Sequence, residues 1–337
     1  MTHSICTLEF EDHRPLYDWV VRELEYPHPP KQIEFAKLYL TNVVTGKRYI
    51  KKLVEEGIVD GWDDPRLVSI AALRRRGFTP ESIKMFVDLC GVSKAQSSVD
   101  YAMLEYCIRE DLKMKAPRLM TVIDPIKVVL TNYPDGQTET MKADNNQENE
   151  AMGTRDMTFS YHLYIDRGDF MEEPVKKFFR LAPGKEVRLK YAYIIKCEDV
   201  VKDENGNIVE LRGTYDPESK SGSGANAGRK VKGTLHWVNA EDAVDVETRV
   251  YDYLFKTDES DDAEGDKKDF LSQINPNSLE TFASKGEAAL ASYHAGDKFQ
   301  FLRQGYFVID KDSTPERLVV NRIVGLRDTW AKMQKKQ

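Results

Sequence analysis

The spacing of apolar residues along the chain changes near residue 117. Before it, residues 14–21 form an amphipathic pattern that predicts a helix, and residues 27–30 a rigid, proline-rich break. Residues 33–40 alternate in the manner of a strand, and residues 43–49, with Gly46 and two cations, predict a loop. Residues 66–113 carry a helical period. Thr79 places a capping hydroxyl ahead of Pro80 at the first helical position, and Gly91 supplies the stop. Ser97 and Asp100 form an S-x-x-D capping box for the next helix, whose Val99, Met103 and Tyr106 face a core.

Beyond Ala116-Pro117 the apolar runs shorten and become β-branched and aromatic. Strands are predicted over 119–133, interrupted at Asp124-Pro125, and over 158–166, 187–201, 208–215 and 230–238. Asp203-Glu204-Asn205-Gly206-Asn207 predicts a hairpin, because Asn-Gly accepts positive φ. Residues 219–228, rich in Gly, Ser and Asn, predict a flexible surface loop. Short strands at this spacing point to antiparallel β-barrels. The fold class is therefore multi-domain α+β.

With 337 residues, 41% of them hydrophobic, the chain can bury more than one core. No apolar run is long enough for a membrane span, and the first residues lack the basic and apolar regions of a secretory signal. Cys6, Cys90, Cys107 and Cys197 are scattered without a C-x-x-C pair. That argues against a zinc site or a disulfide framework and fits a reduced cytoplasm. The formal net charge of −7 weighs against a nucleic-acid binder. Its distribution changes the picture: Arg180, Lys185, Arg188, Lys190 and Lys196 face only Glu186 over 180–196, while residues 258–269 hold seven acids. On composition alone each run is a solvated face.

Gly61-Trp62-Asp63-Asp64-Pro65-Arg66, followed by Arg74-Arg75-Arg76-Gly77-Phe78, resembles the segment after the ATP loop of class I glutaminyl- and glutamyl-tRNA synthetases. Thr2-His3-Ser4-Ile5-Cys6-Thr7-Leu8-Glu9-Phe10 is similar to the late catalytic domain of the glutaminyl members. Gly325-Leu326-Arg327-Asp328-Thr329-Trp330-Ala331-Lys332 is similar to their end. The resemblance runs over essentially the whole chain. It implies the tail of a catalytic domain over 1–65 and a helical stem-contact subdomain over 66–116. It further implies a proximal anticodon-binding barrel from 117–173 plus 258–337, and a distal one over 174–257. No His is followed two residues later by Gly-His, so the early class I ATP motif is not in this sequence. Met1 stands where the family has an interior residue. The resemblance thus implies a C-terminal portion that makes no aminoacyl-adenylate by itself.

The resemblance also assigns sites. Val44-Thr45-Gly46-Lys47-Arg48 matches the lysine-bearing ATP loop, with Thr45 and Gly46 in place of the usual Met and Ser. Carboxylate attack on ATP builds negative charge at the α-phosphate, which Lys47, supported by Arg48, would stabilise in the transition state. Lys37 and Leu38 would lie near the adenine and ribose. Magnesium would accompany ATP in the full enzyme, with no protein metal site in this chain. Cys6 stands where glutamate-charging relatives carry arginine; a neutral thiol suits an amide substrate, whereas a carboxylate buried without a cation is costly. Asp12 would read the acceptor stem, since a carboxylate only accepts hydrogen bonds.

At the anticodon end, Arg118, Gln300 and Arg303 would converge on the middle uridine, supplying donors and an acceptor to its edge. Arg180 and Arg188 would hold the flanking bases and phosphates. Lys190 occupies a position where Arg is common, and a point charge suits phosphate better than a base edge. Phe179 replaces a common Lys and would stack on a base. The stretch Asn145-Asn146-Gln147-Glu148-Asn149 and Lys94 fall near further RNA contacts of the family. The implied activity is ATP-dependent charging of tRNA(Gln) with glutamine by a monomer. A non-catalytic tRNA-binding fragment stays open, as does a glutamate-charging relative, against which Cys6 argues. A barrel protein for other structured RNA would leave T-G-K-R ahead of W-D-D-P-R unexplained.

Overall fold

The computed structural model describes residues 2–256 and 270–327. The acidic run 258–269 and residues 328–332 of the closing motif lie outside the described residues. Strand β1 (Ser4–Thr7) runs parallel to β2 (Gln32–Phe35), with Cys6 opposite Glu34. Between them a 3-10 turn (Leu8–His13) leads into α1 (Arg14–Glu23), which carries a proline in its first turn and buries no residue. The strand expected over 33–40 is two strands, because the chain changes partner at Ala36, whose N–H donates to Ser93. β3 (Leu38–Leu40) pairs with β4 (Ser97–Val99), not with β1.

The loop expected over 43–49 ends early. Gly46, in extended backbone, caps α2 (Lys47–Glu55). Ile50 and Leu53, one turn apart on that helix, are buried with Leu254, Phe255 and Phe270. This packing supplies the stabilisation that a nine-residue helix lacks alone. Lys47 and Arg48 therefore stand on the first turn of a helix.

Three more helices follow: α3 (Ile70–Arg76), α4 (Pro80–Cys90) and α5 (Tyr101–Lys113). Ser69 and Thr79 cap α3 and α4 by accepting from Ala72 and Ser82, and Gly91 ends α4 at positive φ. The expected capping box does not form. Ser97 is drawn into β4, and Asp100 itself caps α5 by accepting from Ala102.

The W-D-D-P-R and R-R-R motifs meet at a joint. Asp64 accepts from the backbone of Asp60 and Arg66 and from the Arg66 guanidinium. Buried Arg76 donates to the carbonyls of Pro65 and Ile323. Arg75 donates to Asp310 and Asp312. Two of the three arginines thus tie the helices to the C-terminal sheet.

The remaining strands, in chain order, begin with β5 (Arg118–Leu119), β6 (Thr121–Val122), β7 (Pro125–Leu130), β8 (Glu139–Asp144) and β9 (Thr154–Phe159). Next come β10 (His162–Asp166), β11 (Glu186–Leu189), β12 (Ile194–Lys202), β13 (Ile208–Asp216), β14 (Thr234–Leu235) and β15 (Val238–Asn239). The last are β16 (Val244–Tyr251), β17 (Leu279–Gly286), β18 (Lys298–Phe301), β19 (Gly305–Ile309) and β20 (Leu318–Gly325). They build two seven-stranded sheets, ordered β14-β11-β12-β13-β7-β10-β15 and β5-β18-β19-β20-β16-β17-β6.

In each sheet the two edge strands are near neighbours in sequence. Only His236-Trp237 separates β14 from β15, and only Met120 separates β5 from β6. One short stretch thus forms both edges, so each sheet curls nearly into a barrel, which also hides its open edges. The sheets are mixed, not purely antiparallel as expected. β7·β13 and β11·β14 are parallel in one, β5·β18 and β16·β20 in the other. β7 and β10 fall within 117–173 yet pair with β13 and β15, so strand pairing does not follow the expected break after residue 173. β8 and β9 form a separate hairpin.

Phe159 and Trp237 are fully buried in the first sheet's core, and Phe299, Phe301 and Phe307 in the second's. The Asp203–Asn207 turn forms as expected, with Gly206 at φ 82 and the Asp203 carboxylate accepting from the Asn205 and Asn207 backbone. The 219–228 segment is not the loose loop expected. Its backbone folds on itself through Gly224 to Lys220 and Ala227 to Gly224 hydrogen bonds, and Ser221 ties it to Ala192 between β11 and β12. No helix of the described residues is long and apolar enough to cross a membrane.

Candidate nucleic-acid interface

Arg118 and Gln300 come from distant segments and lie opposite each other on the parallel strands β5 and β18. The register is fixed by Gln300 N–H donating to Pro117 and Leu302 N–H donating to Leu119. Alternation on β18 sends Phe299 and Phe301 into the core and Gln300 to the other face. There it lies opposite Tyr306, its partner across β18 and β19. The Arg118 guanidinium donates to Glu148 at 2.7 Å, and Lys113 lies 3.3 Å from the same carboxylate. Arg118 and Lys113 together hold the Glu148 carboxyl below its ordinary value. Lys190 sits over the Tyr191 ring at 4.7 Å; burial, with the charge of Arg118 nearby, pushes its ammonium pKa down.

Arg303 follows on the β18–β19 turn at left-handed φ 69. Its guanidinium faces other partners than Arg118 does. It donates to both oxygens of Asp169, at 2.6 and 2.8 Å, and lies 3.0 Å from His236 Nδ1. Arg180 reaches the same carboxylate at 3.2 Å. The expected meeting of three residues therefore appears as two groups: Arg118 with Gln300, and Arg303 with Arg180. The second group lines an open cavity of about 450 Å³ with Asp124, Asp166, His236 and Gln304.

Arg188 is committed elsewhere. It donates to the carbonyls of Ser219, Ala227 and Arg229 and to the Ser221 hydroxyl, binding the 219–229 loop together. Phe179, 51% exposed, borders a groove of about 700 Å³ with Arg180, Lys185, Lys196, Lys230 and Lys232. Lys232 lies 5.1 Å over the Phe179 ring. An exposed aromatic among cations can stack on a base and track a phosphate backbone. Asn146 is buried and donates to the carbonyls of Lys113 and Ala116, closing the end of α5. Lys94 pairs with Glu11.

Sequence reasoning missed Asp166, Asp169, His236, Lys230 and Lys232. No spacing pattern links them, because strand curling brings them together.

At the other end, Lys37 and Tyr39 border a cleft of about 530 Å³ with Thr7, Glu9 and Gln96, and Lys37 lies 4.8 Å over the Tyr39 ring. Leu38 is exposed on β3. Thr45 and Gly46 lead into α2, where Lys47 and Arg48 are exposed and Arg48 donates to the Tyr49 hydroxyl. Cys6 is half-buried on β1, and Asp12 is exposed on the 3-10 turn.

Comparison with known proteins agrees with these pieces. The model of the class I (E and Q) tRNA synthetase catalytic domain matches residues 1–114. Two anti-codon binding domain models of the same class match 116–216 and 234–310. A glutamine–tRNA ligase of Clostridium kluyveri is 54% identical over 331 residues, covering 98% of this chain and 59% of the relative. One of Clostridioides difficile is 53% identical over 332 residues, covering 98% and 59%. One of Nitrobacter hamburgensis is 52% identical over 333 residues, covering 99% and 59%. The chain spans about 59% of the length of these relatives. With catalytic and anticodon-binding models matched in order along it, the chain belongs to the class I E and Q tRNA synthetases.

Proposed function

We propose that this chain is the tRNA-reading portion of a glutamine–tRNA ligase, joined to the ATP-loop end of its catalytic domain. The observation that carries the reading is Arg118 in register with Gln300. A uracil edge offers acceptors and one N–H donor. A guanidinium supplies only donors, and a carboxamide supplies a donor and an acceptor. The pair therefore matches a splayed-out uridine, while Glu148 holds the guanidinium in place before RNA arrives. Arg303 would add donors from the adjoining turn. Arg180, Phe179 and the lysines of the neighbouring groove would take the flanking base and the phosphates, with Lys190 as a further point charge. Arg188 would act through the loop it holds.

In the full enzyme, Lys47 and Arg48 would meet the phosphates of ATP from the head of α2. Lys37 and Leu38 would border the nucleoside. Cys6 would face the glutamine amide and Asp12 the acceptor stem. Among the described residues, one group of metal-ligating side chains gathers: Asp166, Asp169 and His236. It does not fit magnesium, which takes a full set of oxygen ligands. One member is an imidazole, and Asp169 already faces two guanidiniums. No step is assigned to a protein-bound metal.

The test is binding of the 337-residue chain to tRNA(Gln) transcripts with the middle anticodon base changed, at two salt concentrations. Changing the uridine is expected to weaken binding by roughly 5- to 100-fold, with a salt slope that stays the same. A uniform, salt-sensitive loss would leave only phosphate binding. Preference for a glutamate-accepting tRNA would turn the reading toward a glutamate-charging relative. ATP–pyrophosphate exchange by this chain alone is expected to be absent.

A further inference from the structure

The group around Arg303 is more than a surface ion pair. Asp169 is 1% exposed, yet it faces two guanidiniums: Arg303 from the β18–β19 turn and Arg180 from the segment after β10. Arg303 Nη1 also lies 3.0 Å from His236 Nδ1. An arginine nitrogen only donates, so Nδ1 accepts and the ring proton belongs on Nε2. Nε2 lies 2.7 Å from Asp166 Oδ2, at an angle that keeps the contact from being a straight hydrogen bond. Asp166 is anchored in turn. It accepts from the Ile123 and Asp124 backbone and from the Gln304 side chain. Burial pushes the Asp166 carboxyl up, but His236 and the two backbone N–H groups more than offset this and hold it below its ordinary value.

The row Asp166, His236, Arg303, Asp169, Arg180 thus runs from a backbone anchor to the cavity. Arg303 and Arg180, at its outer end, both line the open space. Two carboxylates face two guanidiniums along the row, so each arginine has an acidic counterpart within it.

We propose that Asp169, supported through His236 and Asp166, is a positioning residue that locks Arg303 and Arg180 into one unit, so that two neighbouring anticodon bases are read together. The proposal rests on the anticodon-reading function proposed above and adds residues and a mechanism to it. An end-on carboxylate fixes the plane of a guanidinium, and a fixed plane accepts one arrangement of base-edge acceptors. Freed from it, the same cation on a rotatable stem still attracts RNA but satisfies many arrangements. Loss of Asp169 should therefore erode discrimination more than attraction.

The experiment compares the full chain with D169N, using transcripts with the cognate anticodon, a changed middle base or a changed flanking base, at two salt concentrations. In D169N the preference for the cognate base is expected to fall at least about threefold at both positions, with an unchanged salt slope. H236Q, whose carboxamide can still accept from Arg303 and donate to Asp166, is expected to retain the preference; H236F is expected to lose it. Discrimination within about twofold of the unaltered chain in D169N would overturn the proposal, as would an equal loss for every transcript. Should D169N fail to fold by circular dichroism, H236F decides: lost preference supports the lock, retained preference overturns it. If the unaltered chain itself ignores both bases, the anticodon reading falls, and this proposal with it.

Discussion

Gly77 and Ile323 leave no room for a methyl group between them. A Cβ on Gly77 would lie 2.7 Å from Ile323 Cδ1 and 3.0 Å from Val308, and the Gly77 backbone sits at φ +103. The left-handed cap of α3 is pressed directly onto β19 and β20. This is the same joint at which Arg75 and Arg76 reach Asp310 and Ile323. The end of the catalytic region is thus seated on the C-terminal sheet by a backbone contact and two arginines.

Gly77→Ala should therefore destabilise the chain by roughly 2–4 kcal/mol, from the left-handed backbone and from overpacking against Ile323. Gly57→Ala is the control. Gly57, just past the end of α2, has φ +67 but open space around its missing Cβ, so only the left-handed backbone penalty of about 1–2 kcal/mol applies. Urea unfolding of both variants reads the difference. Equal losses would mean that the α3 cap does not bear on β20.

Local signals were legible in the sequence where a single residue decides them. The Thr79 hydroxyl, the Gly91 stop and the Asn205-Gly206 turn all formed as their chemistry requires. Signals that depend on a partner were not. Residues 33–40 alternate cleanly, yet β2 and β3 pair with different strands. Ser97 has the right spacing for a cap, yet β3 recruits it as a strand residue. T-G-K-R has loop composition, but Phe270, far along the chain, gives α2 a face to bury. Of the site, Arg118 and Gln300 were found through family likeness; no periodicity puts them in register. Asp169 and His236 could not be found, because their meeting depends on how far a sheet curls.

The Arg75–Asp310 contact predicts acid sensitivity of the joint. Burial pushes the Asp310 carboxyl up, but Arg75, the Asp312 N–H and Asn321 more than offset it and hold it below its ordinary value. The stability from such a depressed carboxyl is fully present above the unfolded value of about 4 and is lost as pH falls through the folded value. Asp310→Asn should therefore flatten the fall in unfolding free energy below about pH 4 while lowering stability at pH 7. Asp63 and Asp64, also held low by cations, keep part of the slope. A variant whose acid slope matches the unaltered protein would exclude Asp310 as a contributor.

The thiols should divide by burial. Cys107 and Cys197 are fully enclosed, and burial pushes both thiols up to about 11. Thiolate is the reactive form, so both should resist alkylation in the native protein at pH 8. Cys6 and Cys90, both half-buried, should react first. Mass spectrometry of tryptic peptides after brief iodoacetamide treatment checks the order. Early labelling of Cys107 would mean that the α4–α5 core opens far more readily than its packing implies.

Arg188 separates a direct from an indirect effect on RNA. Its two terminal nitrogens reach four acceptors: Ser219 O at 2.9 Å, Ser221 Oγ at 3.3 Å, Ala227 O at 3.0 Å and Arg229 O at 3.1 Å. A lysine ammonium is a single point and cannot span them, so Arg188→Lys should behave like Arg188→Ala. Both should cost roughly 1–3 kcal/mol and open residues 219–229 to limited proteolysis. The same loop leads into Lys230 and Lys232 of the basic groove. Loosening it should weaken tRNA binding equally for every anticodon variant and reduce the salt slope. If Arg188 instead read a base directly, the loss would concentrate on one anticodon position and Arg188→Lys would leave the loop resistant to protease. Binding and proteolysis measured on the same two variants therefore assign Arg188 either to its own loop or to the RNA.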